Sequence, residues 1–326
     1  MNFTETLLQW FARNGRDLPW RGFKSPYAIW LSEIILQQTR VAQGEAYWHR
    51  FMRQWPTVES LAAATEDEVL RAWQGLGYYS RARNLHAAAR QIAEAGRFPD
   101  SYEEIRRLKG VGDYTAAAIA SFAFGLPVAA VDGNAFRVLA RHFGVDTPIN
   151  NALGKKTFTA LAQSLLPPAQ AADFNQAMMD FGATLCTPRA PLCAQCPMAE
   201  TCDALRTQRV QLLPVKHKTV KVQEREMTYL YLRWQGRTAL RRRGEGDIWQ
   251  GLWEPVAIQP ADVRPEYRPV ARRVKHVLTH RVIYADLYLH EAPTEPALPE
   301  GYRWISEDEL DSHALPRLVE KLLAML

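Results

Sequence analysis

Outside one stretch from Cys186 to Cys202, 17 residues long, the sequence has no cysteine, so disulfide bonds cannot staple distant parts of its fold. It has no run approaching the roughly 18 apolar residues of a membrane span. Its first residues, Met1-Asn2-Phe3-Thr4-Glu5, lack the basic and apolar regions of a secretion signal. No internal repeat or low-complexity tract stands out. Nor is there a large excess of one charge: 40 Lys and Arg against 35 Asp and Glu leave a net +5, which allows a polyanionic partner without requiring one. These absences exclude a disulfide-built secreted scaffold, a membrane-spanning protein and a repeat array. With 326 residues, 47% hydrophobic and 23% charged, the chain is expected to be a soluble intracellular protein of about two domains.

The central pattern lies between Lys109 and Asn134. Ser101-Tyr102-Glu103-Glu104 predicts a capping box opening one helix, Ala116 to Phe124 predicts a second, and Gly110 and Gly112 permit a tight turn between them. Backbone N–H groups left outward by such a turn, beside a helix N-terminus, bind phosphate without reading sequence. An ordinary helical hairpin uses the same residues, so alone the pattern leaves both readings open. Val128 to Val131 then runs into Asp132, with a helix predicted from Ala135 to His142. An aspartate there is an N-cap, and the same fixed carboxylate can face positive charge developing at a pocket edge.

Upstream, Thr4 to Asn14 has the spacing of an amphipathic helix that stops at Gly15. The loop Gly15-Arg16-Asp17-Leu18-Pro19-Trp20-Arg21 reads either as surface charge around one core aromatic or as a stacking wall with donors for a base. From Tyr27 to Thr39 a helix is predicted in which Glu33 lies among Ile29, Trp30, Ile34 and Leu36, with Gln37 and Gln38 closing it. Apolar surroundings predict a raised carboxyl pKa, as a general acid needs. Tyr47 to Ala95 stays helical, with Phe51, Trp55, Leu61, Val69 and Leu70 as core. Gly75-Leu76-Gly77-Tyr78-Tyr79-Ser80-Arg81-Ala82-Arg83 interrupts it with glycines, aromatics and arginines, the content of a duplex-wedging loop or of a turn with core tyrosines.

After a helix predicted from Phe174 to Ala183 come the cysteines, spaced Cys186-x6-Cys193-x2-Cys196-x5-Cys202. Four thiolates so close can close around one compact centre. Only one Cys-x-x-Cys knuckle is present, which favours a [4Fe-4S] cluster over zinc. Residues 206–226, with Lys216, His217, Lys218 and Lys221, read as a linker. Beyond it the period changes to two, with strands predicted at Met227 to Leu232, Thr238 to Arg242 and Val282 to Leu289, a Gln235-Gly236 turn, and a helix from Glu309 to Met325.

In this order, the helix-hairpin-helix, Asp132-Gly133-Asn134 and the cysteine spacing resemble the endonuclease III superfamily of DNA glycosylases. More closely, Leu-Pro-Trp-Arg (18–21), Trp-Leu-Ser-Glu-Ile-Ile-Leu-Gln-Gln-Thr (30–39), Gly-Leu-Gly-Tyr-Tyr (75–79) and Phe-Asn-Gln-Ala-Met-Met-Asp (174–180) resemble the MutY adenine DNA glycosylases. The resemblance implies a mostly α helix-hairpin-helix glycosylase domain over 1–205, with a [4Fe-4S] cluster loop at 186–202. It implies a smaller C-terminal α+β Nudix-like domain over 227–326 that recognises 8-oxoguanine.

The same resemblance implies removal of adenine from double-stranded DNA opposite 8-oxoguanine or guanine. Glu33 would act as the acid, Asp132 as the stabiliser of the sugar cation, and Asn134 and Tyr114 as their positioning shell. Arg16, Trp20, Arg21 and Gln176 are implied as the adenine pocket. Gln38 and Tyr78 fill the gap in the duplex, and Gly110 and Gly112 grip its backbone. Leu278, Thr279 and His280 match a family Phe-Ser-His, and Arg272, Arg273 and Lys275 are implied to meet phosphates. Cys186, Cys193, Cys196 and Cys202 are the implied cluster ligands. Tyr114 stands where bifunctional relatives carry a lysine amine, so base removal without efficient strand cleavage is expected. Ile248-Trp249-Gln250-Gly251-Leu252-Trp253-Glu254-Pro255 fits the Nudix-like domain, yet the full Nudix glutamate box is absent, so no nucleotide hydrolysis is expected. The protein is expected to be a cytoplasmic monomer, nucleoid-associated if bacterial, with no membrane partner. A bifunctional pyrimidine glycosylase/lyase and a non-catalytic DNA-binding module remain the alternatives.

Overall fold

The computed structural model describes residues 2–217 and 222–326. Lys218 and Lys221 of the expected linker lie outside the described residues. The chain divides into two units, bounded by Met1–Glu59 with Ala87–Lys218 and by Ser60–His86 with Thr219–Leu326.

The first unit is helical. Its helices are α1 (Phe3–Asn14), α2 (Pro26–Leu36), α3 (Val41–Gln54), then, after α4 (Val58–Ala63), α5 (Glu66–Trp73) and α6 (Ser80–Ala95), α7 (Tyr102–Arg106), α8 (Asp113–Phe124), α9 (Gly133–Phe143), α10 (Ala152–Leu165), α11 (Ala171–Thr184) and α12 (Asp203–Arg206). Of these, α5 lies in the second unit, and α4 and α6 cross the unit bounds. Every residue of α2 from Tyr27 to Ile35 is buried, so this is a central helix with no solvated face, and Glu33 is enclosed with the rest. The helix ends at Leu36, earlier than expected; Gln38 sits beyond it in the left-handed region at φ 55°. Leu7, Val138, Leu139, Phe158, Phe174 and Phe181 gather α1, α9, α10 and α11 into one core. Among the described residues no helix is long and apolar enough to cross a membrane.

Two local expectations need correction. Ser101 caps α7 by accepting from Glu104 N at 3.3 Å, but the Glu104 carboxylate turns to Arg97 at 2.7 Å, so the reciprocal half of the capping box is not made. The helix after the hairpin starts at Asp113, ahead of Ala116, because Gly112 is already its N-cap.

In the second unit, β1 (Gln223–Trp234), β2 (Arg237–Arg242), β3 (Trp253–Ile258), β4 (Arg268–Val277), β5 (Arg281–Glu291) and β6 (Tyr302–Ser306) form one sheet in the order β4-β5-β1-β3-β2-β6. Among the described residues only β1 and β5 pair in parallel. Alternation along β1 sends Tyr229 and Tyr231 to one face, under α13 (Arg317–Leu323), and Leu230 and Leu232 to the other. Gln235 and Gly236 turn the β1–β2 hairpin with φ of 46° and 70°. The predicted C-terminal helix is shortened: Pro316 cannot continue a helix, so Glu307–Ser312 form a separate 3₁₀ turn and α13 begins after the proline. The sequence pattern missed β3, β4 and β6; β4 is largely solvated and carries register shifts between Pro269 and Val274. Residues of 60–86 join this unit through Arg83, which donates to Gln250 O at 2.5 Å, and through Arg242, which pairs with Glu66 at 2.8 Å.

Candidate active site

A cavity of roughly 770 Å³ opens in the first unit, large enough for a nucleobase and its sugar. Its wall is assembled from α2, the hairpin, α8, the N-terminus of α9, α11 and the loop before α2. The expected pocket residues Arg16, Trp20, Arg21 and Gln176 all line it, as do Glu33, Tyr114, Asp132, Gln38 and Gly112.

Glu33 enters from α2 and is 7% exposed. Burial pushes its carboxyl up to about 7; the Tyr114 hydrogen bond and Arg21 pull it down, and the negative charge of Asp132 adds to the rise. Tyr114, from the first turn of α8, donates its hydroxyl to Glu33 Oε2 at 3.2 Å and lies 3.7 Å from the sulfur of Met179. Asp132 caps α9, its Oδ1 accepting from Asn134 N at 2.9 Å and Ala135 N at 2.7 Å. Asn134 Nδ2 donates to the other oxygen at 2.7 Å. Burial raises the Asp132 carboxyl, and these hydrogen bonds oppose the rise. Capping and exposure to the cavity thus coexist in one carboxylate.

Several positioning residues were not legible beforehand. Buried Asn175 accepts from Ala130 N and donates to Val128 O and Ser121 Oγ, each at 2.9 Å, which fixes the extended segment leading into Asp132. Arg137 holds Asn134 Oδ1 and Gly182 O, each at 2.7 Å, and Cys186 O at 2.7 Å. A Cβ on Gly182 would stand 2.6 Å from Asn134 Cβ. Gly182→Ala is therefore expected to displace Asn134 and cost about 1–3 kcal/mol of stability in denaturant melts. Arg16 and Arg21 stand on the cavity wall and direct part of their guanidinium donors to buried Asp180.

At the hairpin, Gly110 has φ 78°, which a side chain resists, whereas Gly112 is extended at φ −96° and faces open space. Asp113 follows at the helix start and pairs with Arg106. In the second unit Tyr78, at φ 49° and 46% exposed, places its hydroxyl 2.6 Å from Thr279 Oγ1, so two of the expected DNA-reading residues meet. Thr279 and His280 are exposed in the β4–β5 turn. Leu278 instead packs against the sheet core, with its amide on Arg281 O at 2.7 Å. Arg272 lies over Tyr288 and Arg273 pairs with Glu226 at 3.2 Å, so both are partly committed within the sheet.

The four cysteines line one small cavity with Arg141, Leu185 and Leu192. Arg141 donates to Cys186 Sγ at 3.4 Å and to Thr187 O at 2.7 Å. Burial pushes the Cys196 thiol up to about 11, and the other three cysteines add to the rise. Among the described residues no three His, Cys, Asp or Glu side chains form a group able to hold one metal ion.

Residues 31–164 match the HhH-GPD superfamily of base excision DNA repair proteins, and residues 228–325 match a NUDIX domain family. The adenine DNA glycosylase of Homo sapiens is 45% identical over 223 residues, 65% of this chain and 41% of that protein. The adenine DNA glycosylase of Buchnera aphidicola subsp. Baizongia pistaciae (strain Bp) is 34% identical over 296 residues, 86% of this chain and 84% of its own length. A solved thermostable thymine-DNA glycosylase is 33% identical with a TM-score of 0.59, covering 63% of this chain and 95% of that one. The chain thus carries an HhH-GPD domain followed by a Nudix-like sheet domain. The chain spans less than half the length of its human relative and most of its bacterial one. It belongs to the adenine DNA glycosylase family.

Proposed function

We propose that this chain is a monofunctional DNA glycosylase of base excision repair, hydrolysing the N-glycosidic bond of adenine opposite 8-oxoguanine or guanine. The observation that carries the reading is Glu33, buried in the cavity, held by the Tyr114 hydroxyl and sharing that cavity with Asp132. Adenine leaves as an anion only at great cost, so protonation of its ring by Glu33 lowers the barrier. Asp132, fixed by three hydrogen bonds, faces the cationic sugar that develops as the bond breaks, and Glu33, now a carboxylate, activates water. Trp20 and Gln176 offer the flipped base a flat wall and an amide. In this reading the glycosylase domain runs to about residue 205, Gly110 and Gly112 meet phosphate, Gln38 and Tyr78 occupy the opened duplex, and Thr279 with His280 reads the opposite base. The enzyme acts as a monomer.

Cys186, Cys193, Cys196 and Cys202 would hold a [4Fe-4S] cluster, which would rigidify the loop carrying Arg189. The donor set fits: four thiols share one cavity, and the buried guanidinium of Arg141 complements thiolate charge.

A tyrosine hydroxyl at position 114 cannot form a Schiff base, which supports base removal alone. Lys155 also lines the cavity, which gives the lyase reading a specific candidate. The deciding experiment is a single-turnover assay on duplexes carrying adenine opposite 8-oxoguanine, with a guanine–thymine duplex alongside, sampled with and without hot alkali. Scission of the adenine strand only after alkali is expected. Scission without alkali would assign lyase chemistry to Lys155, and cutting at thymine alone would overturn the adenine reading.

The same assay has an expected pH dependence. Glu33 works as an acid only when protonated, so the rate falls tenfold per unit as pH rises beyond about 7. At low pH it falls again as Asp132 gains a proton.

A further inference from the structure

Asp180 takes no direct part in the chemistry above, yet its side chain is fully buried on α11 behind the cavity wall. It receives five hydrogen bonds. Arg16 gives three, from its backbone N at 2.8 Å, Nε at 2.8 Å and Nη2 at 2.6 Å; Arg21 gives two, from Nη1 at 2.8 Å and Nη2 at 2.9 Å. Arg21 also donates to Arg16 O at 2.8 Å, which locks the two arginines together. Both guanidiniums line the cavity that holds Glu33, and the pair carries two positive charges against the single negative charge of Asp180.

We propose that Asp180 is a positioning residue for the excision chemistry: it seats Arg16 and Arg21 in the cavity wall and shields Glu33 from the positive charge of Arg21. The inference rests on the reading of Glu33 as the acid. The charged and titratable groups acting on Glu33 are Tyr114 from α8, Asp132 from the cap of α9 and Arg21 from the loop before α2. Asp113, Tyr102 and Lys155 stand elsewhere on the cavity wall. Of the three direct neighbours Arg21 is the cation, and a cation beside a carboxyl favours its ionised form. Asp180 neutralises part of that cation's field and fixes where its donors point. An asparagine has the same shape but one acceptor oxygen and no charge, so it cannot hold both guanidiniums or balance them.

The test is the pH profile of single-turnover adenine excision by the full chain, for the parent, Asp180→Asn and Arg21→Gln, with folding checked by circular dichroism. Asp180→Asn is expected to move the alkaline limb about one unit lower, so that its rate is about 8-fold reduced at pH 7.5 and within about twofold of the parent's near pH 6. Arg21→Gln removes the cation and leaves Arg16 paired with Asp180, so its limb is expected to move higher. A merely structural role lowers the rate at all pH values and moves neither limb. If Asp180→Asn fails to fold, the limb of Arg21→Gln decides, and an unmoved limb there overturns the proposal. A parent that leaves adenine in place overturns the functional reading itself, whereas a parent that cleaves while both folded variants keep its limb overturns the role of Asp180 alone.

Discussion

Replacing Glu33 with glutamine is expected to lower adenine excision by at least about 10³-fold while affinity for the mispaired duplex stays within about threefold. Glutamine keeps the shape and still accepts the Tyr114 hydroxyl, so the cavity remains intact, but it has no proton of suitable acidity to give the base. Stability should move the other way. Enclosure in α2 raises the carboxyl from 4.5 to about 7, and a raised acid contributes stability that is present below its unfolded pKa and lost as pH rises through the folded one. The parent therefore loses up to about 3 kcal/mol between about pH 4.5 and 7 that the glutamine variant keeps. Denaturant melts at pH 5 and pH 8 check this: the variant should be nearly equal to the parent in acid and clearly more stable in base. A variant that still turns over at pH 7, measured in a single-turnover assay, would remove Glu33 from the mechanism.

That trade of stability for chemistry explains why Glu33 stood out in the sequence. A lone carboxylate inside Tyr27–Ile35 breaks an otherwise uniform apolar helix, and such a local conflict is visible without coordinates. The cysteines were legible for a related reason, since their spacing is itself the signal. Asp180 was not. It sits on a helix whose pattern looks ordinary, and its meaning comes from Arg16, 164 residues away. Arg137 and Asn175 are likewise polar residues whose partners belong to other elements. In the sheet domain, β1 and β5 announce themselves as dense runs of aromatic and aliphatic residues because both their faces are buried. The edge strand β4, with Arg268, Arg272, Arg273, Lys275 and His276, does not, because solvent accepts any polar side chain there. The pattern likewise ran the last helix through Pro316, whereas the helix begins only after that proline.

Asp132→Asn is expected to be the second severe lesion, with a rate loss on the order of 10³ and a smaller stability loss of about 1 kcal/mol. Both effects follow from how the carboxylate is held. One oxygen caps α9 through two backbone amides, and the other accepts from Asn134 Nδ2. An amide has a single acceptor, so the variant must choose: if its oxygen keeps the cap, its NH₂ meets the Asn134 NH₂ and donor faces donor. The cost in stability is one hydrogen bond, because the backbone cap can survive. The cost in rate is the charge, because no anion then faces the cation that forms on the sugar. Asp132→Ser removes the charge without setting donor against donor: serine still caps the helix but also loses the Asn134 contact, so this variant should melt no lower than the asparagine one and excise adenine no faster. A serine variant with near-parental excision would make Asp132 a cap alone and leave the sugar cation to be stabilised elsewhere. Catalytic loss in both variants, with stability lowered by no more than about one hydrogen bond in either, would show that the negative charge, and not the cap, carries the chemistry.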